Sequence, residues 1–410
     1  MKKIMKKFIS GKNRERLSWI KAIPMNLSCF FHHMNDEIIL ESYPDLTCNS
    51  YALYKYMLKQ EINKEYKLTW LVNDPNKYLN ITEENVEFIC INPKTKEEKK
   101  KFYRRCNRAI ALITSNRHIG TIYTSKKQLN IYLDHGSQMK SLVKGYGKQI
   151  VSCDYLLCQS EFFIEYNLKE YVINRKQIFV AGLPRNDQLF QKHDSLKRII
   201  PDIGNFKKII VWVPTFRQHM SKERNDCNFL MPLGIPIIYD KISAIKINEA
   251  LINENVILII KPHPAQDMSV IKKLKLENIR FIYNEDLELE NVQLNEFLAQ
   301  TDAMITDYSS VYYDYLLTDK PIAITLDDYN EYRLQKGFVF DEPLDILKGD
   351  YIYDLEDFVV FIENVSKGID NTLEERLNVK NLVHQYTDDN SSKRVYDFIM
   401  EKLHDGRFRR

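Results

Sequence analysis

The sequence lacks the features that mark membrane-spanning, secreted or disulfide-stapled proteins. No apolar run reaches the ~18 to 20 residues that a helix needs to cross a bilayer. Charges recur through Arg16, unlike the apolar core of a secretory signal. The seven cysteines are scattered and never spaced as C-x-x-C, which favours neither a zinc site nor a disulfide framework. We therefore expect a cytoplasmic protein with free thiols.

Glycine and proline are also scarce, and no charge of one sign dominates. The 410 residues include 12 glycines and 13 prolines, which excludes collagen-like and low-complexity proteins. A net charge of +3 is small for this length and gives no reason to expect nucleic acid as a partner. Because 44% of the residues are apolar, the chain has material for a large core. Its length predicts two domains of about 200 residues each.

Several familiar motifs are missing as well. There is no G-x-x-x-x-G-K-[ST] loop, no complete G-x-G-x-x-G fingerprint and no G-x-S-x-G elbow. No Asp-x-Asp pair occurs, so a metal-chelating diphosphate site of that kind is unsupported. These absences disfavour P-loop, dinucleotide-binding and serine hydrolase chemistry, and we predict no metal site.

The sequence instead alternates short apolar strands with helical segments, which predicts parallel sheets built from βαβ units. The rhythm breaks in a polar, lysine-rich stretch at 190–206 and then restarts. We predict an α/β protein with two Rossmann-like, doubly wound domains that face a central cleft, at 31–195 and 196–410, after a basic segment at 1–30. Strands are predicted at 37–41, 68–72, 86–90, 109–113, 131–133, 209–213, 256–260, 303–306 and 321–325, and helices at 50–60, 95–106 and 311–317.

The first candidate site loop follows the strand that ends at Ile260. Loops at the carboxyl ends of strands bind ligands in doubly wound folds. Here Lys261 is followed by Pro262, His263 and Pro264, and the two prolines restrict the backbone around the histidine. A lysine and a histidine in such a loop suit an anionic ligand such as a diphosphate. We favour this interpretation over a strand-terminating turn with a solvated histidine.

A second candidate follows the strand at 303–306. Ser309 and Ser310 open a predicted helix, where hydroxyls and N–H groups can cradle a phosphate. Asp314 lies four residues after Ser310 and therefore shares its face of the helix. Ordinary capping by Asp307 and the serines explains this segment alone equally well.

The third candidate is the loop that begins with Asp134 and His135. Gly136 would let a ligand approach the backbone closely, with Ser137 beside it. A histidine with a pKa near ~6.5 is a natural general base for a hydroxyl group. We predict that His135 faces His263 across the cleft; a surface histidine in a turn is the alternative.

Two further loops complete the pattern. One runs from Pro214 through Thr215 to Arg217 after a predicted strand, and the other, at 182–187, contains Arg185, which is suited to bidentate contact with phosphate. Each is weak by itself. Five polar loops at strand ends, with two histidines, one lysine and two arginines, together predict an anion-binding cleft.

These loops resemble the CDP-glycerol glycerophosphotransferase family, which makes wall teichoic acid and related capsule polymers. The resemblance spans residues 37 to 345 and rests on seven short segments. It implies the GT-B architecture, a CDP-glycerol or related CDP-alditol donor in the cleft, and no cofactor. The segments are 135–136, 184–187, 214–217, 261–264, 305–314, 320–321 and 337–338.

The resemblance also implies roles for individual residues. An acceptor hydroxyl would attack the β-phosphorus of CDP-glycerol and expel CMP, with His135 as the base and His263 as a second catalytic candidate. Asp314 would hold a hydroxyl of the glycerol. The implied substrate-binding residues are Gly136, Ser137, Arg185, Pro214, Thr215, Arg217, Lys261, Pro262, Asp307, Ser309, Ser310 and Asp314.

The chain departs from the family's Trp-His-Gly-Thr-Pro loop. Asp134 stands in place of the Trp, and Ser137 and Gln138 stand in place of Thr-Pro. These changes lie on the acceptor side, so the acceptor, a hydroxyl of a polymer or of a lipid-linked molecule, stays open. Two alternatives remain, namely a GT-B glycosyltransferase with a nucleotide-sugar donor and a non-catalytic assembly subunit of the same fold.

The first 21 residues are strongly basic. They contain eight Lys and Arg residues and one acid, Glu15, interleaved with apolar residues. This pattern favours a helix that lies on anionic lipid, and a solvated basic tail is the alternative. We therefore expect a peripheral location on the inner face of a bacterial cell membrane.

Overall fold

The protein is described by a computed structural model that covers residues 33–405 except 117–126, 152, 218–230, 264–265, 267–270 and 275. The basic segment at 1–30, which is predicted to lie on a membrane, is outside the described residues. So is Pro264, the last residue of the predicted loop after Ile260. In the remainder, strands and helices alternate as the sequence predicts.

Seven parallel strands form the first sheet, and a two-stranded parallel sheet lies beside it. The strands are β1 (Asn35–Glu41), β2 (Lys67–Val72), β3 (Val86–Cys90), β4 (Ala109–Thr114), β5 (Leu129–Tyr132), β6 (Gln149–Ile150), β7 (Tyr155–Cys158), β8 (Tyr171–Val172) and β9 (Ile178–Val180). The large sheet has the order β3-β2-β1-β4-β5-β7-β9, and β6 pairs with β8. The order reverses beside β1, which is the switch point where doubly wound folds bind ligands.

Six parallel strands form the second sheet. They are β10 (Lys208–Val213), β11 (Val256–Ile260), β12 (Ile279–Phe281), β13 (Ala303–Thr306), β14 (Ile322–Thr325) and β15 (Asp350–Ile352), in the order β12-β11-β10-β13-β14-β15. All five residues of β11 are fully buried, as expected for a continuous apolar strand covered on both faces. The predicted α/β architecture with two doubly wound sheets is confirmed.

Helices cover the faces of both sheets. They are α1 (Cys48–Lys59), α2 (Lys96–Arg108), α3 (Val143–Tyr146), α4 (Ile164–Glu170), α5 (Leu196–Ile199), α6 (Lys241–Asn253), α7 (Asn284–Leu289), α8 (Leu294–Ala299), α9 (Val311–Leu316), α10 (Tyr329–Gln335), α11 (Leu355–Lys367), α12 (Leu373–Val383) and α13 (Ser391–His404). Thr95 and Glu98 form a capping box that starts α2. Across the described ranges, no helix combines the length and apolar character needed to cross a bilayer.

The last helix, α13, belongs to the core of the first domain. Val395, Ile399 and Leu403 are buried in one cluster with Ile38 of β1 and Leu53 of α1. The assignment of all of 196–410 to the second domain is therefore wrong for this helix. Its apolar stripe predicts a buried face but carries no information about which sheet covers that face. The chain passes from the first sheet to the second between 180 and 208, and the boundary at 195 stays a prediction.

Candidate active site

Residues from both domains meet where the loops after β5, β9 and β13 converge. A Cβ atom built on Gly136 would lie 2.7 Å from Nη2 of Arg185 and 3.1 Å from Oγ of Ser310. Gly136 also has a φ of +139°, which side chains rarely tolerate. The structure thus brings together three residues that the sequence predicts for one site, and only a glycine allows this approach.

Arg185 links the two domains at this junction. Its Nη2 lies 2.7 Å from Oδ2 of Asp314, and its Nη1 donates to the carbonyl oxygen of His135. Nε is buried and has no hydrogen-bond partner among the described residues, which leaves one donor for a ligand oxygen. Burial opposes the charge of the guanidinium, but the carboxylate of Asp314 outweighs it and raises the pKa of Arg185. This residue therefore stays cationic at the centre of the cleft.

Asp314 is the partner of this arginine. Its side chain is buried, and burial raises its pKa while the charge of Arg185 opposes the rise. Its observed role is to hold the guanidinium in place. The predicted contact with a glycerol hydroxyl stays a prediction.

The ring of His135 is held by the residue before it. Nδ1 of His135 lies 2.9 Å from Oδ1 of Asp134, and 60% of the histidine side chain is exposed. Protein crowded around the ring lowers its pKa, but the hydrogen bond and the charge of Asp134 outweigh this and raise it. Because the Nδ1–H donates to the carboxylate, Nε2 carries the lone pair and can act as a base.

Arg217, predicted to bind the donor, is instead buried in the second domain. It pairs with Asp307 at 2.9 Å and with Asp328, and both carboxylates are fully buried. The rings of Tyr308 and Tyr332 cover the guanidinium at 5.1 and 4.9 Å. Protein groups thus occupy the polar atoms of Arg217 and Asp307, and the predicted contact of these two residues with the ligand stays a prediction.

The same network fixes the loop after β10. Asp307 accepts a hydrogen bond from the backbone N–H of Thr215 at 3.0 Å and from its hydroxyl at 2.9 Å. Pro214 is buried beside it. Pro214 and Thr215 thus support the cleft from behind, and their predicted contact with the substrate stays a prediction.

The loop after β11 presents a buried lysine and an exposed histidine. Lys261 is buried, and its Nζ lies 2.6 Å from Oδ1 of Asn284. Burial lowers the pKa of Lys261 to about 8, with an opposing contribution from Glu285. His263 is exposed after the buried Pro262, and its ring packs on Phe216 with centroids 4.6 Å apart. An anionic ligand beside such a lysine would stabilise its charged form, because the opposite charge offsets the cost of burying the ammonium group.

The two serines before α9 differ in their surroundings. Oγ of Ser309 accepts a hydrogen bond from the N–H of Val311 at 3.4 Å, so this hydroxyl has a partner within its own turn of the chain. Ser310 makes no capping hydrogen bond, and its Oγ faces Gly136 across the cleft. Of the two serines, Ser310 is the one that lies at the junction, and the predicted phosphate contact of both stays a prediction.

Ser137 turns away from the junction. It is buried, and its hydroxyl donates to Oε1 of Gln159 at 3.0 Å. A protein partner at the end of β7 thus takes the hydroxyl proton of Ser137, and its predicted contact with substrate stays a prediction.

The segment 184–187 has two functions that the sequence did not reveal beyond Arg185. Oδ1 of Asn186 accepts from Nδ2 of Asn295 in α8 at 2.8 Å. The carboxylate of Asp187 accepts from the N–H groups of Ser391 and Ser392 at 2.8 Å each, which caps α13. Three consecutive residues thus tie the cleft, the second domain and the last helix together.

Asn49 is a further residue that the sequence reading missed. Its Nδ2 donates to the carbonyl oxygens of Leu133 and Asp134 at 3.1 and 2.9 Å, and its Oδ1 accepts from the N–H of Arg185 at 3.3 Å. This buried side chain fixes the His135 loop against the Arg185 segment. An asparagine in the first turn of a helix carries no signal of such a role.

Three comparisons place this architecture among known proteins. The pattern of the family described as CDP-Glycerol:Poly(glycerophosphate) glycerophosphotransferase matches residues 24–401. A teichoic acid glycerol-phosphate primase of Bacillus subtilis is 28% identical over 265 residues, which cover 63% of this chain and 61% of the primase. The matched part is thus less than two thirds of that relative.

A teichoic acid poly(glycerol phosphate) polymerase of Bacillus spizizenii is 24% identical over 82% of this chain and 86% of its own length. The solved structure of the wall teichoic acid polymerase TagF aligns over 95% of this chain and 97% of that chain, with a TM-score of 0.69 and 19% identity. This likeness supports the GT-B-like arrangement of the two sheets. The matches confirm the family that the loop motifs predict, and the chain belongs to the CDP-glycerol:poly(glycerophosphate) glycerophosphotransferase family.

Proposed function

We propose that this protein transfers glycerol phosphate from CDP-glycerol to a hydroxyl group of a polymer or lipid-linked acceptor in teichoic acid or capsule synthesis. The observation that carries the proposal is the junction of Gly136, Arg185 and Ser310. His135, the base candidate, directly precedes Gly136, and its carbonyl oxygen accepts a hydrogen bond from Arg185. The guanidinium of Arg185 and the hydroxyl of Ser310 are groups that suit a phosphate. The family membership and a polymerase structure obtained after a soak with CDPG support the choice of donor.

In the proposed reaction, the acceptor oxygen attacks the phosphorus atom that bears the glycerol. A P–O bond forms to the acceptor, and the P–O bond to the CMP phosphate breaks with its electron pair leaving on CMP. Nε2 of His135 takes the hydroxyl proton, a contribution of about 10²- to 10⁴-fold in rate. The proton then passes to solvent when the cleft opens to release the products.

Cations and donors around the phosphate supply the remaining stabilisation. Arg185 offers its unsatisfied Nε–H, and the hydroxyl of Ser310 faces the same space. The loop after β11 carries Lys261 and His263, and we assign them to the diphosphate of the donor in the proposed complex. Donors that are held in place before the reaction stabilise developing charge without reorganisation.

A donor screen tests the proposal. The full chain is incubated with a lipid-linked acceptor and CDP-glycerol, CDP-ribitol or nucleotide-sugars, and CMP or other nucleotide release is measured. We expect CMP from a CDP-alditol. Release from a nucleotide-sugar alone would instead identify a glycosyltransferase. Nucleotide binding by thermal shift without any release would identify a non-catalytic subunit.

We also propose that the enzyme works at the membrane surface. A pocket of about 400 Å³ opens beside the first residues of β1, which the basic segment at 1–30 precedes. Its lining contains the acids Asp36 and Glu37 and five basic side chains: Lys67, Lys101, Arg104, Arg105 and Arg108. Lys67, Lys101 and Arg105 form ion pairs with nearby glutamates. Near an anionic bilayer each basic residue contributes about 1 kcal/mol.

Co-sedimentation with liposomes tests this location. The full chain should pellet with vesicles that contain anionic lipid and stay in solution with neutral vesicles. The triple variant Lys101→Glu, Arg104→Glu, Arg108→Glu and a chain lacking residues 1–20 should both bind less. Equal pelleting with neutral and anionic vesicles would contradict an electrostatic surface contact.

A further inference from the structure

We propose that Asp134 is a positioning residue whose buried carboxylate holds the imidazole of His135 in the tautomer that leaves Nε2 as the base. The inference rests on the proposed function, since it concerns the base of that reaction. Asp134 stands at a position where this chain departs from the family's loop, and no motif in the sequence pointed to it. The structure assigns it a role through the contacts of its two oxygens.

Both oxygens of Asp134 are fixed by the protein. Oδ2 accepts from the hydroxyl of Tyr171 at 2.7 Å and from Nε2 of Gln138 at 3.0 Å. Oδ1 accepts from the backbone N–H of His135 at 2.7 Å and faces its Nδ1 at 2.9 Å. With its side chain only 7% exposed, the carboxylate cannot rotate away without breaking several hydrogen bonds.

The backbone of the loop is also fixed by a hydrogen bond and by its conformation. Nδ2 of Asn49 donates to the carbonyl oxygen of Asp134 at 2.9 Å. Asp134 has a φ of +52°, a left-handed conformation that aspartate adopts more readily than bulky residues do. This conformation turns the carboxylate back towards the ring of the next residue. The side chain and the main chain therefore set the direction of His135 together.

The electrostatics of the pair support catalysis by Nε2. Burial alone raises the pKa of Asp134, but the hydrogen bonds from His135 and Tyr171 outweigh it, so the pKa is lowered and the carboxylate stays charged. Its charge stabilises the imidazolium that forms when Nε2 takes a proton. Two cations lower the pKa of His135, because positive charge disfavours the added proton. They are Arg185, from the segment after β9, and Lys140, from the loop that follows His135.

Two other groups complete the surroundings of the pair. Asp314 of α9 partly neutralises Arg185 through their ion pair at 2.7 Å. The hydroxyl of Tyr132 lies 3.4 Å from Oδ1 of Asp134 and adds a weak donor. The pKa of His135 is thus raised because the hydrogen bond and the charge of Asp134 together outweigh burial and the two cations Arg185 and Lys140.

Replacement of Asp134 by asparagine tests the role directly. In Asp134→Asn the side-chain amide can donate to Nδ1, which favours the opposite tautomer and protonates Nε2. We expect kcat for CMP release to fall by about 10- to 1000-fold with little change in KM for CDP-glycerol. Loss of the negative charge lowers the pKa of His135, so the acid limb of the pH profile should move to lower pH.

A matched control separates this effect from general damage. Asp154 accepts from the N–H of Asn130 at 2.9 Å at the edge of the same sheet, and no described contact joins it to His135. Asp154→Asn should leave the pH profile unchanged. If Asp134 serves only to hold Tyr171 and Gln138, Asp134→Asn will lower the melting temperature while the acid limb stays in place, and the inference is overturned.

A spectroscopic readout keeps the inference testable without turnover and without a substitution at Asp134. Imidazole ¹⁵N and ¹³C shifts of His135, assigned through the signal lost in His135→Gln, report its tautomer in the unaltered chain. We expect the Nδ1–H form and a pKa above ~6.5. An Nε2–H form sinks the inference even if the enzyme is active. Failure of every CDP-alditol in the donor screen, with the Nδ1–H form present, would count against the proposed function alone.

Discussion

At the scale of single residues, the candidate site depends on one glycine and one histidine. Gly136 lies where the first domain touches Arg185 and Ser310, and its missing side chain permits the contact. His135, the residue before this glycine, supplies the base candidate. Both residues matter for their position in the site and contribute little to core packing, because neither provides much buried apolar area.

Gly136→Ala should reduce CMP release strongly while the chain stays folded. The new Cβ would meet Nη2 of Arg185 at 2.7 Å, and the φ of +139° adds strain. Gly204→Ala is the control, since nothing lies within 4 Å of its Cβ. CMP release and circular dichroism are measured for both variants. Activity in Gly136→Ala equal to that of Gly204→Ala would show that the junction is not part of the site.

His135→Ala should abolish turnover, by about 10²-fold or more, and leave CDP-glycerol binding largely intact. Thermal shift with CDP-glycerol measures binding, and CMP release measures turnover. His404→Ala, an exposed position at the end of α13, is the control. His263→Ala should weaken donor binding as well, which distinguishes the two histidines. Unchanged CMP release in His135→Ala would remove it from the mechanism.

At the scale of elements, α13 is held to the first domain by a cap as well as by its apolar face. The carboxylate of Asp187 accepts from two N–H groups at the start of the helix. A carboxylate at a helix N-terminus also interacts favourably with the helix dipole. Because Arg185 lies two residues earlier, the same turn holds the helix and the cleft.

Asp187→Ala should therefore lower both stability and activity. Loss of an N-cap costs about 0.5–2 kcal/mol of unfolding free energy, which urea titration measures. Asp187→Asn keeps an acceptor and should lose less. An Asp187→Ala chain with unchanged stability would show that apolar packing alone holds α13.

At the scale of the whole molecule, the domains are joined by more than one connection. The N–H of Ser141 donates to the carbonyl oxygen of Gly337 at 3.1 Å, and that of Val339 donates to Met139 at 3.1 Å. His384 adds a buried link, since its Nε2 lies 2.8 Å from the carbonyl oxygen of Tyr313 and its Nδ1 lies 3.1 Å from Nε2 of Gln159. These contacts add links between the domains beyond the ion pair of Arg185 with Asp314.

His384 predicts a loss of stability in mild acid. Burial lowers its pKa to about 4, against an ordinary value near 6.5. Between these values the unfolded chain binds a proton that the folded chain does not. The unfolding free energy should therefore fall as pH drops from about 6.5 towards 4, by at most about 1.4 kcal/mol per pH unit.

Urea unfolding at several pH values measures this effect. His384→Gln keeps a donor and an acceptor without titrating, so its stability should depend less on pH in this window. His404→Gln, at an exposed position, should behave like the unaltered chain. The same pH dependence in His384→Gln would assign the acid sensitivity to other groups.

Much of the fold could be predicted because its signals are local. The strands at Val86–Cys90 and Val256–Ile260 have the predicted bounds, since continuous apolar runs between polar loops have few other structures open to them. The strands β6 to β9, β12 and β15 have two to four residues and were not predicted individually. Short strands depend on their neighbours for pairing, so their own residues carry a weak signal.

The site shows the same division more sharply. The sequence by itself determined which loops end the strands, which loops carry cations and serines, and to which family their pattern belongs. Only the tertiary structure decided that Arg217 is buried between two carboxylates while Arg185 faces the cleft. The charge and hydrogen-bond partners of a side chain come from residues distant in the chain, whose approach depends on the packing of the sheets. Asp134 adjoins His135 in sequence, yet Tyr171, Gln138 and Asn49 make it a fixed partner, and these three are brought there by the fold.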